Sequence, residues 1–211
     1  MRKSNIVMIL IVFMSFVISA YFYPQLPDRV PSHWNVRGEV DAYMPKFMGL
    51  FLMPVILVFL FLFFVAIPKI DPLKENIKKF MKYYEGFVVF IVAFMFYVHL
   101  LTISWSLGIE FNMNYAIIPP IAIILYFAGI LTGKAKRNWF IGIRTPWTLS
   151  NDKVWDKTHE KGAKLFKILA VVVLLSLPFP DYMIIIILVP VFLVIGYLFV
   201  YSYLEYQKET K

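Results

Sequence analysis

The chain contains no cysteine, which excludes disulfides, Cys-ligated zinc, thiolate nucleophiles and Cys-held iron–sulfur clusters. It is also poor in charge, because only 16% of its residues are Asp, Glu, Lys or Arg, whereas 61% are hydrophobic. Acidic residues are scarcer than basic ones, 13 against 21, and the net charge is +8. In this chain the basic residues flank apolar runs. Anionic phospholipids are therefore the predicted partner, and no direct contact with nucleic acid is expected.

The apolar residues fall into long continuous runs. A run of about 20 apolar residues crosses a bilayer, where the lipid offers no hydrogen-bonding partner to an open backbone. Because these runs do not alternate with polar residues, they predict helices and not the strands of a barrel. The sequence therefore predicts an all-α membrane protein with a bundle of six transmembrane helices. The predicted spans are Asn5–Tyr23, Phe47–Pro68, Gly86–Leu107, Tyr115–Thr132, Leu165–Leu177 and Tyr182–Leu204.

Lys and Arg are distributed unequally between the predicted connections. Eighteen of the 21 lie at the N-terminus, in the second and fourth connections or in the tail, and only Arg29, Arg37 and Lys46 lie on the other side. Cytoplasmic loops carry an excess of Lys and Arg, so both termini are predicted to face the cytoplasm. The first run could instead be a signal peptide, but it is long for one, and Ile18 fits poorly before a cleavage site.

The interiors of the predicted spans hold no Asp, Glu, Lys or Arg. Such residues are the usual carriers of coupled protons or ions, so their absence argues against an ion-coupled transporter or pump. His99 is the polar exception, with Thr102 and Ser106 further along the same helix. It is either a ligand or proton site, or a neutral imidazole hydrogen-bonded to a neighbouring helix, and the second interpretation is favoured.

The loop at residues 24–46 is predicted to lie outside the cell as a compact lid. Its prolines, among them Pro31, forbid a helix through the first half, and Gly38 permits a turn. Trp34 and Tyr43 are expected at the level of the lipid head groups. A structureless loop of this length usually has a purpose, so an ordered loop with a binding role is predicted.

Three residues of this outer loop carry side chains that bind metals, namely His33, Glu39 and Asp41. One histidine and two carboxylates without a defined spacing are a weak metal signal. The favoured interpretation is that they form hydrogen bonds that fix the lid, and no metal site is predicted.

The predicted cytoplasmic loop, residues 133–164, is polar, basic and rich in tryptophan. Trp139 and Trp155 suit ordinary anchoring at the membrane interface. The stretch from Gly142 to Trp147 is explained less well in that way, because Arg144 stands beside a backbone that Gly and Pro hold open. An arginine in that setting can bind a phosphate or carboxylate through two parallel hydrogen bonds.

The second part of this loop is predicted to be an interfacial amphipathic helix that runs into the fifth span. Ser150 is the predicted N-cap, followed by Asp152 in the first turn. A basic stripe and an ion pair between Glu160 and Lys164 are expected on its surface.

Two groups of residues resemble the SdpI family of membrane immunity proteins. In the cytoplasmic loop they are Asn138, Ile141, Gly142, Ile143, Arg144, Thr145, Pro146, Trp147, Thr148, Leu149, Val154, Trp155, Thr158, His159 and Gly162. In the outer loop they are Leu26, Pro27, Pro31, His33, Trp34, Asn35, Gly38, Asp41 and Tyr43, which are similar to a short domain of unknown function that often heads family members. With the six spans, the resemblance covers nearly the whole chain.

The resemblance implies protection of a cell against a secreted, membrane-active toxin peptide. In the namesake system the protein also holds a transcriptional repressor at the membrane. The expected division of the chain is a first helix pair with the outer loop, residues 1–68, followed by a four-helix SdpI-like region, residues 69–211. A small-molecule or lipid transporter is the alternative. An enzyme is not expected, because no nucleophile–base pairing or metal-ligand spacing is evident, and no cofactor is predicted.

Overall fold

The computed structural model describes residues 2–210, so Met1 and Lys211, the latter one of the eighteen basic residues counted above, lie outside it. The helices are α1 (Lys3–Phe22), α2 (Lys46–Ile70), α3 (Lys74–Lys79), α4 (Met81–Ser106), α5 (Met113–Lys134), α6 (Pro146–Ser150), α7 (Asp152–Leu175) and α8 (Met183–Glu209). Two short 3-10 turns, Tyr23–Gln25 and Pro180–Tyr182, follow α1 and precede α8. The strands are β1 (Arg29–Trp34) and β2 (Val40–Pro45).

Within residues 2–210, five helical segments are long and apolar enough to cross a membrane. They are Lys3–Gln25, Lys46–Ile70, Met81–Ser106, Met113–Lys134 and Pro180–Glu209. These segments contain four of the predicted spans, and Gly86–Leu107 extends one residue beyond Met81–Ser106. The remaining span, Leu165–Leu177, overlaps the C-terminal part of α7, which ends at Leu175. The multi-pass, helical membrane character of the chain is thus confirmed, whereas the sixth crossing and the side of each terminus stay predictions.

The long helices expose large apolar side chains around their surfaces. In α8, for example, Phe192 and Leu193 are each about two-thirds exposed. A soluble monomer does not carry apolar patches of this extent, whereas hydrocarbon chains solvate them. The chain is therefore an integral protein of the cell membrane.

The ordered outer loop contains strands that the all-α prediction did not include. β1 and β2 pair antiparallel, from Arg29 opposite Pro45 to Trp34 opposite Val40, with irregular register around His33. Proline removes a backbone donor and is tolerated in edge strands and at bulges, and both strands of a two-stranded sheet are edges. The expected lid is thus a β-hairpin, and the prolines that forbid a helix are compatible with it.

The chain forms two compact units. One comprises the chain up to Val65 together with Val88–Pro120, and the other comprises Ala66–Phe87 and the chain from Ile121 onward. In the first unit, the base of the hairpin is packed into a core of Leu26, Val30, Leu50 and Ile103, bordered by Ile18, Phe22, Tyr23, Met44 and Phe51. The second unit contains α6, α7 and α8, and in it both α6 and α7 pack against α8.

Prolines inside two helices of the first unit leave backbone carbonyls without their usual donors, and neighbouring helices supply hydroxyl groups. Pro54 has no N–H for the carbonyl of Leu50, and the Ser19 hydroxyl on α1 lies 2.8 Å from that oxygen. In α5, Pro120 leaves the carbonyl of Ala116, which accepts from the Tyr97 hydroxyl at 3.2 Å. Such replacement donors are how membrane helices tolerate proline.

Candidate functional site

The candidate site is the stretch Asn138–Gly162 in the second unit, called the loop motif below. It begins at Asn138, whose side chain is completely buried. The Asn138 amide donates to the carbonyls of Lys136 and Ile141 at 2.8 and 2.9 Å, and its oxygen accepts from the N–H groups of Phe140 and Ile141. One side chain therefore fixes the tight turn that opens the motif, as an Asn does in many turns.

The connection between α2 and α3 holds the start of the motif from outside. Asp71 is buried, and its carboxylate accepts from the backbone N–H of Trp139 at 2.9 Å and from that of Leu73 at 2.6 Å. Asn76 donates to the carbonyl of Arg137 at 2.9 Å. The contacts with Trp139 and Arg137 were not predicted, because Asp71 and Asn76 lie 68 and 61 residues before these partners and no local pattern marks them.

The centre of the motif is a buried stack of Trp155 and His159, whose ring centroids are 3.9 Å apart with planes 15° from parallel. The Trp155 indole N–H donates to the carbonyl of Ala135 at 2.9 Å. Gly142 lies against this stack with φ of +110°, a backbone conformation that glycine adopts without strain. A Cβ at Gly142 would overlap His159 Nε2, so the site requires glycine for space as well.

His159 is a neutral imidazole with both nitrogens engaged by backbone. Nδ1 lies 2.8 Å from the carbonyl of Trp155, which can only accept, so Nδ1 carries the proton. Nε2 then accepts from the N–H of Ile143 at 3.0 Å. Burial lowers the pKa of His159 from 6.5 to about 4. With both nitrogens occupied, this imidazole joins α7 to the backbone at Ile143 and is poorly placed to serve as a general base.

Thr145 and Pro146 begin the short helix α6. The Thr145 hydroxyl accepts from the N–H of Thr148 at 3.2 Å, and the Thr148 hydroxyl accepts from the N–H of Thr145 at 2.9 Å. This reciprocal arrangement is a capping box, and Pro146 follows at the first helical position, where its missing N–H costs nothing. The Thr145 hydroxyl also lies 3.0 Å from that of Ser202, which attaches α6 to α8.

Trp147 and Arg144 differ in their surroundings. The Trp147 ring packs against Phe199 and Tyr203 of α8, with centroids 4.9 and 5.1 Å away. Arg144 is exposed, and its guanidinium donates to the carbonyl of Trp139 at 2.8 Å. Among the described residues, no carboxylate pairs with Arg144, so the fork of its remaining N–H groups faces solvent. Trp147 is thus an aromatic anchor on α8, whereas Arg144 is a cation at the surface.

The N-cap of α7 is Asn151, and the prediction of Ser150 was wrong by one residue. The Asn151 side chain accepts from the N–H groups of Lys153 and Val154 at 2.8 and 3.2 Å. Ser150 instead ends α6, with its hydroxyl bonded to the carbonyl of Trp147. Both residue types cap helices well, so the residue types alone could not separate Ser150 from Asn151.

The predicted basic stripe on α7 is partly neutralised by the end of α8. Lys157 lies 2.9 Å from carboxylate oxygens of both Glu205 and Glu209, and Lys153 lies 3.1 Å from Glu209. These hydrogen bonds, first that to Glu209, raise the pKa of Lys157. The expected pair of Glu160 and Lys164 is confirmed at 2.8 Å. Two lysines of the stripe, Lys153 and Lys157, therefore already pair with carboxylates of the protein, which reduces the charge that they offer to anionic lipid.

In the first unit, the outer hairpin is fixed by its own turn and by the chain between α4 and α5. The Asn35 oxygen accepts from the N–H groups of Arg37 and Glu39. Gly38 adopts φ of +77°, and a Cβ there would overlap Asn112. The Asn112 amide donates to the carbonyl of Arg37 at 2.6 Å. The hairpin tip is therefore a docked element.

The outer-loop residues predicted to contribute to the site do not all come together. His33 Nδ1 lies 2.6 Å from an Asp41 oxygen in an exposed pair, whereas Glu39 accepts from Asn35 at 3.1 Å. Pro31 and Trp34 line a pocket with residues of α2 and α4, and neither His33 nor Asp41 lines it. Within residues 2–210, no group of three His, Cys, Asp or Glu side chains is arranged to hold a metal ion.

His99 is buried in the first unit, and its Nε2 lies 2.9 Å from the hydroxyl of Ser19 on α1. This is the hydrogen bond to a neighbouring helix that the favoured interpretation of His99 required. Its Nδ1 has no partner among the described residues.

Two family matches cover the regions just described. Residues 134–202 match the SdpI/YfhL protein family, and residues 10–58 match a domain of unknown function, DUF1648. The chain is 28% identical to the immunity protein SdpI of Bacillus subtilis (strain 168) over 207 residues, which span 98% of this chain and 97% of that protein. It is 36% identical to the uncharacterized membrane protein YbgB of the same strain over 44 residues, 21% of this chain and 48% of that protein. No solved structure matches the chain.

Proposed function

We propose that this chain, which carries an SdpI/YfhL family domain behind a DUF1648 domain, is a non-enzymatic membrane immunity protein that protects a cell against a secreted toxin peptide. The observation that carries the proposal is the similarity to an immunity protein along 98% of the chain. A match of that extent includes both loops as well as the apolar helices. Apolar helices alone are a weak guide to function, because lipid imposes them on every multi-pass protein.

The proposal places the outer hairpin and the loop motif on opposite sides of the membrane, with six crossings. The basis for the sixth crossing is the C-terminal part of α7, where Ile168, Val171, Leu174 and Leu175 expose apolar side chains. The basis for the sidedness is the excess of Lys and Arg in the predicted cytoplasmic segments. A toxin peptide would then meet the hairpin side, and a cytoplasmic partner would meet the loop motif.

Arg144 is the residue of the loop motif best suited to a cytoplasmic partner. It is exposed, it is positioned by one hydrogen bond to Trp139, and its planar fork fits a phosphate or a carboxylate. Two partners present such groups: an anionic phospholipid offers a phosphate, and an acidic surface of a transcriptional repressor offers carboxylates. In this proposal the loop motif supports immunity as well as signalling, and signalling additionally requires coupling between two sites.

The test is survival of toxin-sensitive bacteria that produce the chain and are challenged with a secreted membrane-active toxin peptide, first that of the namesake system. Arg144→Ala is expected to reduce protection at least tenfold at matched membrane levels, and Arg144→Lys to restore part of it. Trp147→Phe, which keeps an aromatic ring against Phe199 and Tyr203, is the matched control and should protect nearly as well as the wild type. Unchanged protection by Arg144→Ala would remove the loop motif from the immunity function.

A transporter of small molecules or lipids is the second candidate, and one observation favours it. His99 is a buried polar side chain that borders a pocket within the apolar helices. Uptake of a solute into proteoliposomes that is lost in His99→Ala would support transport. Toxin protection that persists in His99→Ala without any such uptake would argue against it.

A further inference from the structure

A pocket of about 160 Å³ lies in the first unit beneath the hairpin. Its walls are mostly apolar, and they come from β1, β2, α2 and α4. The lining residues that matter here are Trp34, Met44, Leu52, Met53 and His99. Leu52 is 41% exposed on the outside of α2, so the pocket borders a surface that lipid covers. This volume is well above what a single water needs.

Two buried nitrogens of this pocket have no hydrogen-bond partner among the described residues, namely Trp34 Nε1 and His99 Nδ1. A buried polar atom without a partner costs stability, and each such atom in a folded protein calls for an explanation. That two of them line the same pocket indicates that the pocket is filled by a group that satisfies both.

The hydrogen bonds of Ser19 decide what each nitrogen requires. The Ser19 hydroxyl has one proton and lies 2.8 Å from the carbonyls of both Ser15 and Leu50, which can only accept, and Pro54 gives the Leu50 oxygen no N–H. The contact of 2.9 Å between Ser19 and His99 is then donated by Nε2–H. His99 Nδ1 is therefore an acceptor, whereas the Trp34 indole N–H is a donor.

The occupant must accordingly present a donor and an acceptor on an apolar body. A peptide amide offers both groups, and the apolar walls suit its side chains. A lipid ester offers an acceptor and would leave His99 Nδ1 unsatisfied. The two methionines of the lining adapt to apolar groups of different shape.

We propose that this pocket binds a peptide amide with its adjoining apolar side chain, held between Trp34 Nε1–H and His99 Nδ1. That the peptide is a toxin rests on the proposed function, whereas the binding chemistry stands on the pocket alone. Neither residue is part of the loop motif, so the two sites can be tested separately.

The experiment uses the full chain in phosphatidylcholine nanodiscs and two matched probes, N-methyl-4-methylpentanamide and methyl 4-methylpentanoate. They share an apolar body and a carbonyl, and only the amide has an N–H. The readouts are the NMR signals of the Trp34 indole N–H, assigned by its loss in Trp34→Phe, and of His99 Nδ1. The amide is expected to shift both signals saturably, and the ester to shift neither. Trp34→Phe should weaken amide binding, followed at His99, by roughly three- to tenfold.

Each outcome bears on the proposal. If the amide and the ester bind equally, or if neither shifts the signals because water alone fills the pocket, the proposal is overturned. If Trp34→Phe does not fold, Leu52→Phe, which narrows the exposed edge, should abolish the shift at His99 Nδ1. If the wild type binds the amide while the Trp34→Phe variant still protects cells from the toxin, that result would support the pocket as a peptide-binding site and would reject a role for it in immunity.

Discussion

At the scale of single residues, His159 shows how burial sets the role of an ionisable group. The ring is stacked on Trp155 and bonded at both nitrogens, and burial lowers its pKa to about 4, with Asp156 opposing this shift and Lys136 adding to it. The folded state therefore favours the neutral form of the His159 imidazole. An unfolded chain takes up a proton below pH 6.5, whereas the folded chain does so only near pH 4, so stability is complete above pH 6.5 and falls between these values.

We expect the stability advantage of the wild type over His159→Gln to shrink by about 1.5 kcal/mol between pH 6.5 and pH 5, because the slope approaches about 1.4 kcal/mol per pH unit only below the pKa of the unfolded chain. Thermal or denaturant unfolding of the purified proteins in detergent at the two pH values measures this. All other titrating groups are common to both proteins and cancel in the difference. An advantage that does not change with pH would mean that His159 is already charged in the fold.

The sequence predicted some residues of the site and could not predict others. Gly142 and His159 stood out by residue type, and the pair of Glu160 and Lys164 followed from helical spacing. Asp71 could not be predicted, since its contact with Trp139 joins distant parts of the chain. The choice of N-cap between Ser150 and Asn151 depends on where α6 ends, and α6 is attached to α8 through Trp147 and Thr145, which lie far from α8 in sequence.

At the scale of elements, the helices were predictable and the way they compensate for proline was not. Hydrophobic runs specify each long helix, because lipid leaves the backbone no other choice. The hydroxyl groups that serve the carbonyls of Leu50 and Ala116 come from other helices, and no pattern within one run reveals them. The β-hairpin was likewise missed, because its prolines and bulges obscure the alternation that marks a strand.

Ser19→Ala is expected to destabilise the protein by about 1–3 kcal/mol, because the carbonyl of Leu50 and the Nε2–H of His99 lose their partner together. Ser4→Ala on the same helix is the matched control, since its buried hydroxyl has no partner among the described residues, and it should be neutral or stabilising. The shift in thermal midpoint of the two variants measures the difference. Equal shifts would show that the hydroxyl of Ser19 does not supply the bond.

At the scale of the whole molecule, charge sets the predicted orientation, and the absence of cysteine makes that orientation easy to test. Eighteen of the 21 Lys and Arg residues fall in segments predicted to be cytoplasmic. Five segments within residues 2–210 meet the length and hydropathy of a span. The first half of α7 is charged, which explains why composition alone does not identify this helix as a membrane span.

Single cysteines at Val36 and Ser150, both exposed, are expected to lie on opposite sides of the membrane. A membrane-impermeant maleimide should label Val36→Cys in intact cells, and should label Ser150→Cys only after the cells are permeabilised. The cysteine-free wild type is the background control. Labelling of both positions from the same side would contradict an odd number of crossings between them.

The bond between Ser19 and Leu50 bears on how the protein is made. Ribosomes deliver α1 before α2, so the hydroxyl is already in the bilayer when the proline-interrupted helix arrives. A helix that entered alone would expose a bare carbonyl to hydrocarbon during its insertion. The chain order therefore gives α2 its docking partner at the moment of biogenesis, and reversing the two helices in a permuted gene should slow or misdirect insertion.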